Sequence, residues 1–426
     1  MLSTLRLAVL SMHTSPLAQP GTGDGGGMNV YVRELASALA HLGVECEVFT
    51  RADGPDRAAV VNVEPGFRVH HVPAGPLGPV VKEDLPALVP AWTAAVRERL
   101  ELMAAVGRSV QAIHANYWLS GVAGHTLKHE LDIPLIVTFH TLDRVKADAS
   151  PEELSAFEPA RRAHAEAEIV GCADAVLASC TVEADQLIEL YGAERERITI
   201  VAPGVNHAFF GPGDQAQARR AVQLDGSGPL VLFAGRIQPL KGLTVAVDAL
   251  AALRSRALSP VDPLARVSLV VIGGPSGPHG DQELEEVHRR IGHHGLHEAV
   301  RFLPPQGHEV LSTYYRAADV CVVPSHSESF GLVALEAAAC GRPVVASAVG
   351  GLTTLVRHGR TGYLVEGRDP ADYAAPIAAV LRDRRLAGEL STAAALEAGA
   401  YTWRAAAEAL RTRVDVLAAS ALVACG

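Results

Sequence analysis

The chain has 426 residues, enough for two globular domains rather than one, and 49% of them are hydrophobic, ample for buried parallel sheets. Its formal charge of -10 argues against a nucleic-acid partner, whose phosphates would repel such a surface. No apolar run reaches the roughly 20 residues that cross a bilayer, and no amphipathic basic helix offers a membrane contact. The run Leu5 to Met12 is too short for a signal-peptide core before the polar His-Thr-Ser, so a cytoplasmic protein is expected. Cys46, Cys172, Cys180, Cys321, Cys340 and Cys425 show no C-x-x-C pairing and mostly fall in apolar stretches. They read as reduced core residues.

Short apolar strands alternate with longer helical stretches, the pattern of doubly wound parallel sheets in an α/β protein. The first set of strands is Leu5 to Ser11, Cys46 to Thr50, Val110 to His114, Pro134 to Phe139, Ala175 to Ala178 and Ile198 to Val201. A long glycine loop follows the first strand and leads into a helix from Met28 to Leu42. Within it, Gly21 to Gly26 matches the dinucleotide fingerprint G-x-G-x-x-G, but about ten residues separate Ser11 from Gly21, and the second strand ends in Phe-Thr-Arg51 without the ribose-binding acid. Hydride transfer is therefore disfavoured. A loop rich in backbone amides suits an anion instead. His140 follows an apolar strand, so its ring should emerge at the carboxyl end of the sheet, where α/β sites lie.

Ala202-Pro-Gly-Val-Asn206 and Gly211-Pro-Gly213 break the pattern and mark a linker. The second set of strands is Leu230 to Ala234, Val267 to Ile272, Val300 to Leu303, Val320 to Pro324, Pro343 to Ser347 and Gly362 to Val365, followed by three helical segments from about Pro370. The pair His293-His294 lacks partners at ligand spacing and reads as a solvated helix end.

Two motifs in the second half carry chemistry. In Pro-Ser-His-Ser-Glu-Ser-Phe-Gly-Leu-Val-Ala-Leu-Glu, a strand ends, Gly331 allows close approach, and the amides of Gly331, Leu332 and Val333 form a free helix N-terminus that favours a diphosphate. Glu328 and Glu336 should avoid phosphate and face hydroxyls, Glu328 those of a transferred sugar and Glu336 those of a ribose. Phe-Ala-Gly-Arg-Ile-Gln-Pro-Leu-Lys supplies Arg236, a bidentate fork, and Lys241, a point charge, both suited to a departing diphosphate. Taken singly, each motif also reads as an ordinary strand-loop-helix corner with solvated charges.

Together these segments resemble the retaining glycosyltransferases of family 4, with two Rossmann-like domains facing across a cleft in the GT-B arrangement. The string Ser11 to Val32 is closest to the branch that glycosylates an inositol phosphate. The resemblance implies an N-terminal acceptor-binding domain over residues 1-203, a nucleotide-sugar-binding domain over 204-402, and a last helix, 403-426, that packs back on the first domain. It implies transfer of N-acetylglucosamine or a related hexose from a UDP-sugar to 1L-myo-inositol 1-phosphate, and a homodimer. The catalytic set would be His140, Arg236, Lys241 and Glu328. Donor contacts would add Gly27, Gln306, Gly331, Leu332, Val333 and Glu336.

On the acceptor side the implied residues are His13, Gln19, Pro20, Asp24, Gly25, Gly26 and Asn29, with Lys82, Tyr117, Thr141 and Arg162 as a phosphate cradle and Arg161 as the alternative arginine. No cofactor is required, although a peripheral magnesium ion near Tyr315, Arg316 and Ala318 fits a relative. Two segments depart from the branch: Gly242-Leu243 stands where Ala-Pro is usual, and Glu166-Ala-Glu where Glu-Gln-Gln is usual. Another donor or acceptor, such as one giving a sucrose-like sugar phosphate, therefore stays open, as does a nucleotide-sugar epimerase, which would have no use for the cradle.

Overall fold

In the computed structural model, which describes residues 5–21, 25–149, 158–224 and 228–425, the chain builds two sheets. The first comprises β1 (Arg6–Leu10), β2 (Glu45–Arg51), β3 (Val60–Glu64), β4 (Phe67–Val72), β5 (Ala112–Asn116), β6 (Leu135–Thr138), β7 (Ala175–Ala178) and β8 (Ile198–Ile200). Their order is β3-β4-β2-β1-β5-β6-β7-β8, parallel throughout except where β3 runs antiparallel to β4. The second sheet comprises β9 (Leu230–Ala234), β10 (Ser268–Ile272), β11 (Val300–Leu303), β12 (Val320–Val323), β13 (Val344–Ser347) and β14 (Gly362–Val365), in the order β11-β10-β9-β12-β13-β14 and wholly parallel.

Runs such as Leu-Val-Leu-Phe-Ala in β9 are buried along their length because helices cover both faces of each sheet, which is why the central strands read as unbroken apolar segments. The hairpin β3–β4 was not foreseen. β3 is a half-exposed edge strand whose Val-Val-Asn-Val-Glu pattern lacks such a run, and it reverses at Pro65-Gly66 with Gly66 at φ 86°. β5 begins at Ala112, two residues later than the apolar run suggested.

The helix Trp403–Leu417 buries Trp403, Ala406, Ala407, Leu410, Val414 and Leu417 in one core with Leu35 and Leu39 of the helix Gly27–His41. That spacing is one helical stripe. Thr402 starts it by accepting the Ala405 amide at 3.1 Å. The chain's last helix thus returns to the first lobe.

In each sheet the strand order reverses beside the first strand of the lobe: β1 lies between β2 and β5, and β9 between β10 and β12. Ligands of open α/β sheets bind outside the carboxyl ends of strands at such switch points. Here the two crevices face each other.

Four cysteines, Cys46, Cys180, Cys321 and Cys340, are buried and free. Cys172 and Cys425 are not isolated core thiols: although 253 residues apart in sequence, they lie at bonding distance with Cα atoms 4.9 Å apart. Sequence spacing carries no signal for a pair that the returning helix brings together. Among the described residues no helix is long and apolar enough to cross a membrane.

Candidate active site

A cavity of about 1060 Å³ lies between the lobes, walled by the loops after β1, β5 and β6 on one side and those after β9, β11 and β12 on the other. Side-chain hydrogen bonds to backbone carbonyls span it: the Ser329 hydroxyl donates to the His140 carbonyl, and the Gln19 side-chain amide donates to the Pro305 carbonyl at 3.4 Å.

On the acceptor side the helix Glu158–Cys172 delivers Arg162, which is 4% exposed. Its guanidinium donates to the Tyr117 hydroxyl at 3.2 Å, to Thr141 Oγ1 at 3.0 Å and to the Thr141 carbonyl at 2.7 Å. Lys82 Nζ stands 5.3 Å from the centre of the Tyr117 ring. The four residues expected to form a cradle therefore converge. Arg161 is exposed, and only Arg162 faces the cavity.

What sequence reasoning missed is the anchor. Glu166 is fully buried, accepts from Arg162 Nε at 2.8 Å, and its other oxygen accepts from the Asp143 amide at 2.9 Å and from the Tyr191 hydroxyl. Burial alone would lower the Arg162 pKa, but Tyr117, Glu166 and Asp143 outweigh it and hold the cation charged. The Arg162–Glu166 spacing of one helical turn was the available signal.

His13 packs on Tyr117 with ring centroids 4.4 Å apart, and its Nδ1 is buried without a partner within the protein. Burial first, then the nearby Lys82, His140, Arg162 and Arg236, push its pKa well down. It is a neutral ring inside a positive field. His140 is also neutral: burial and His114 lower its pKa to about 3, and its Nε2 is hydrogen-bonded to Asn116 Oδ1 at 2.9 Å. His140 and Tyr117 both have positive φ, 63° and 75°, a strained backbone that non-glycine residues keep mainly where surrounding structure enforces it.

On the donor side Lys241 Nζ and Glu328 Oε2 form an ion pair at 2.6 Å, both partly buried. The two groups expected to address diphosphate and sugar separately are thus neighbours, and the ammonium has two further protons to offer. The Glu328 loop is held by Gly350 and Gly351: Gly350 has φ 48°, a Cβ there would stand 1.9 Å from the Glu328 carbonyl, and that carbonyl accepts the Gly351 amide at 3.0 Å. Only glycine fits at 350.

Arg236 lies against the other lobe, where a Cβ on Gly26 would meet its Nε at 3.4 Å; one on Gly27 would meet Leu332 Cδ1 at 3.4 Å. Gly331, at φ 105°, precedes the helix Leu332–Ala339, and Gly331, Leu332 and Val333 line the cavity. Glu336 reaches the same wall, accepts from the buried Tyr315 hydroxyl at 2.9 Å, and burial raises its pKa to about 7. Gln306 also lines the cavity.

Several expected contacts fall elsewhere. Asn29 is 1% exposed and fully occupied with the glycine loop: Nδ2 donates to Thr14 Oγ1 at 2.7 Å and to the Ser15 carbonyl at 2.6 Å, while Oδ1 accepts the Gly26 amide at 2.9 Å. It shapes the loop instead of the wall. Pro20 and Gly26 line the cavity, whereas Gln19 and Gly25 do not, Gln19 being turned to Pro305 and the Gly25 carbonyl accepting the Gly21 amide. Asp24 lies outside the described residues.

The segment of Tyr315, Arg316 and Ala318, the place expected for a peripheral cation, carries no carboxylate side chain. Its side chains are a buried phenol and a guanidinium, and the Ala318 carbonyl already accepts from Gln215 at 2.8 Å and Arg342 at 3.1 Å. His294 pairs with Asp248 at 2.9 Å and takes part in no metal-like group among the described residues.

Residues 26–204 match the family model described as "Glycosyl transferase 4-like domain", and residues 214–397 match "Glycosyl transferases group 1". The chain is 47% identical over 409 residues to a D-inositol 3-phosphate glycosyltransferase of Geodermatophilus obscurus, covering 95% of this chain and 88% of that one. It is 47% identical to the protein of the same name from Acidothermus cellulolyticus, covering 93% and 87%. Among solved structures, the sucrose-phosphate synthase of Thermosynechococcus elongatus superposes with a TM-score of 0.86 at 33% identity, covering 98% of this chain and all of that one. The Anabaena protein HepE, solved with UDP and glucose, shares the fold at 20% identity and a TM-score of 0.75, covering 97% of this chain and 100% of that one. With its two facing α/β lobes, the chain belongs to the GT-B glycosyltransferases, in the family of the D-inositol 3-phosphate glycosyltransferases.

Proposed function

We propose that the protein moves N-acetylglucosamine, or a related hexose, from a UDP-sugar to 1L-myo-inositol 1-phosphate (1D-myo-inositol 3-phosphate) with retained configuration, the first step of mycothiol biosynthesis. The names of its relatives support the acceptor. The observation that carries the reading is that two anion sites share one cavity: Arg162, Tyr117, Thr141 and Lys82 on one wall, Arg236 and Lys241 with a helix tip on the other.

In this scheme the acceptor hydroxyl attacks the anomeric carbon on the face from which the diphosphate leaves. The bond to the diphosphate oxygen breaks, and that oxygen takes the hydroxyl proton. Negative charge grows on the leaving group, so Arg236, Lys241 and the amides after Gly331 stabilise the transition state more than the ground state. Glu328 orients the sugar while keeping Lys241 in place, and Glu336 holds the ribose. Neutral His140, half-buried in the cavity wall, adds hydrogen-bonding capacity without a competing charge. Closure of the lobes excludes water and protects the donor from hydrolysis.

The test is a donor and acceptor screen read by mass spectrometry, starting with UDP-N-acetylglucosamine and 1L-myo-inositol 1-phosphate. The phosphorylated cyclitol should be glycosylated and free inositol should not. Equal turnover of the two would remove the cradle from the account, and isomerisation of the donor alone would point to an epimerase. The 33% identity to a sucrose-phosphate synthase makes a sugar phosphate the second acceptor to screen.

A further inference from the structure

Away from the cleft, four side chains meet that the glycosyl transfer does not use. His125 and His129 sit one turn apart on the helix Trp118–Leu131, Cys172 ends the helix Glu158–Cys172, and Cys425 comes from the segment beyond the helix Trp403–Leu417. One ligand atom from each lies within 4.8 Å of all the others, the only such group of three or more His, Cys, Asp or Glu side chains among the described residues. His129 Nε2 is 3.0 Å and His125 Nε2 3.4 Å from Cys425 Sγ. Two histidines at i and i+4 point one pair of imidazoles at a single locus, as helical metal sites require.

We propose that the dithiol form of Cys172 and Cys425, together with His125 and His129, is a tetrahedral structural zinc site that fastens the C-terminal segment to the first lobe. Cys2His2 is a complete donor set for zinc, with bonds of about 2.0–2.3 Å and no position left for a substrate. Filling it requires two-electron reduction of the Cys172–Cys425 bond by an external thiol reductant, which is oxidised to its own disulfide and leaves two thiolates free to part. Cys425 supplies that freedom because it lies in a stretch without helix or strand. A disulfide alone would explain two of the four residues. It gives no role to the paired histidines.

The segment is steered to this place independently. The buried Lys128 donates to the carbonyls of Val423 at 2.9 Å and Cys172 at 2.7 Å and to Asp174 Oδ1 at 3.0 Å, and Asp174 Oδ1 also accepts the Val423 amide at 2.7 Å. Cys425 therefore arrives beside Cys172 through a built contact. The site also has something to brace. The helix bearing the two histidines starts directly after Tyr117, and the helix ending in Cys172 carries Arg162 near its other end and Glu166 at its middle. Tying the far ends of these helices together fixes the two elements that deliver the phosphate cradle.

The experiment uses the full chain, reduced and reconstituted with zinc sulfate, then freed of loose metal by gel filtration. About one zinc ion per chain is expected by elemental analysis, and Cys425→Ser and His129→Gln should each bring this near zero. Cobalt in place of zinc should give the intense absorption of a tetrahedral thiolate complex, lost in Cys425→Ser. A chelator should lower the melting temperature of the wild type and leave that of the variants unmoved. Both substituted residues lie outside the cleft, so the variants should fold and turn over donor, which keeps metal loss distinct from failure of the transfer reaction. Absence of bound zinc in the reduced wild type, or zinc content unchanged by both substitutions, would overturn the site. So would a Cys172–Cys425 disulfide that persists in metal-free protein purified under reductant.

Discussion

On the acceptor wall each polar group is held by its own lobe: Arg162 by Glu166, Tyr117 and Thr141, and Lys82 over the Tyr117 ring. On the donor wall Lys241 is paired within its lobe to Glu328, but Arg236 lies against Gly26 and the Glu328 loop reaches across through Ser329 to the His140 carbonyl. On the proposed reading the cradle would bind its ligand without help from the other lobe, whereas the diphosphate site would be complete only where the two lobes meet. Acceptor affinity and turnover should respond to different substitutions.

The largest separation is expected at the donor cations. Lys241→Ala should lower kcat by roughly 10²–10³, the range for losing one fixed donor to a developing anion, and by more than Arg236→Ala, because it also leaves the Glu328 carboxylate unpaired beside the diphosphate. Acceptor affinity, measured by calorimetry with the inositol phosphate, should hold. A matching loss of acceptor affinity would mean that the two walls are not independent.

The converse is Glu166→Gln, which breaks a buried ion pair at a cost on the order of 3–5 kcal/mol and frees Arg162 to tilt away from the phosphate. The melting temperature should drop and KM for the acceptor rise, with KM for the donor near that of the wild type. Equal increases in both KM values would show that the anchor supports the whole cleft.

These two predictions also mark what could be read without coordinates. The donor wall was legible because its groups are contiguous: a strand, a glycine and a charged residue within a few positions give both location and chemistry, as at Gly235-Arg236 and Glu328 to Gly331. The cradle draws on four distant segments, so resemblance supplied its members while Glu166, whose role is to satisfy Arg162, looked like a departure. Asn29 was misplaced for a similar reason, since a loop residue of its type reads equally as ligand or brace. The positions of most strands, though not their order, followed from apolar runs, but β3–β4 did not, because β3 is a half-exposed edge strand and Arg68, His70 and His71 interrupt the apolar pattern of β4. Cys172–Cys425 depends on where the last helix docks, which no local pattern encodes.

A smaller effect should appear in the pH dependence. Burial lifts Glu336 from its ordinary 4.5 to about 7. A raised carboxyl pKa means that its contribution to stability is fully present below about 4.5 and is lost as pH rises through about 7. The shift corresponds to something on the order of 3 kcal/mol. Wild-type stability should therefore fall relative to Glu336→Gln over this window in denaturant titrations. In the proposed role of Glu336, ribose hydroxyls donate to the ionised form, so donor binding near pH 7 should release protons, visible as a buffer-dependent heat that the variant lacks. Parallel stability profiles for the two proteins would place the charge of Glu336 in solvent.

Gly26→Ala should have the mildest effect and gives the sharpest view of the interface between the walls. Gly26 has φ -155°, an extended backbone open to any residue, so alanine adds no strain; as a helix cap it costs at most about 1 kcal/mol. The added methyl would sit 3.4 Å from Arg236 Nε and 3.5 Å from Cζ, contacts that the closed cleft accommodates by a small shift of the guanidinium. Misaiming one of two cations should reduce kcat severalfold, well short of the loss in Arg236→Ala, while the cradle, which Gly26 does not touch, keeps its acceptor affinity. Were turnover normal and acceptor affinity reduced, the glycine loop would belong to the acceptor wall alone, and Arg236 would not depend on lobe closure for its aim.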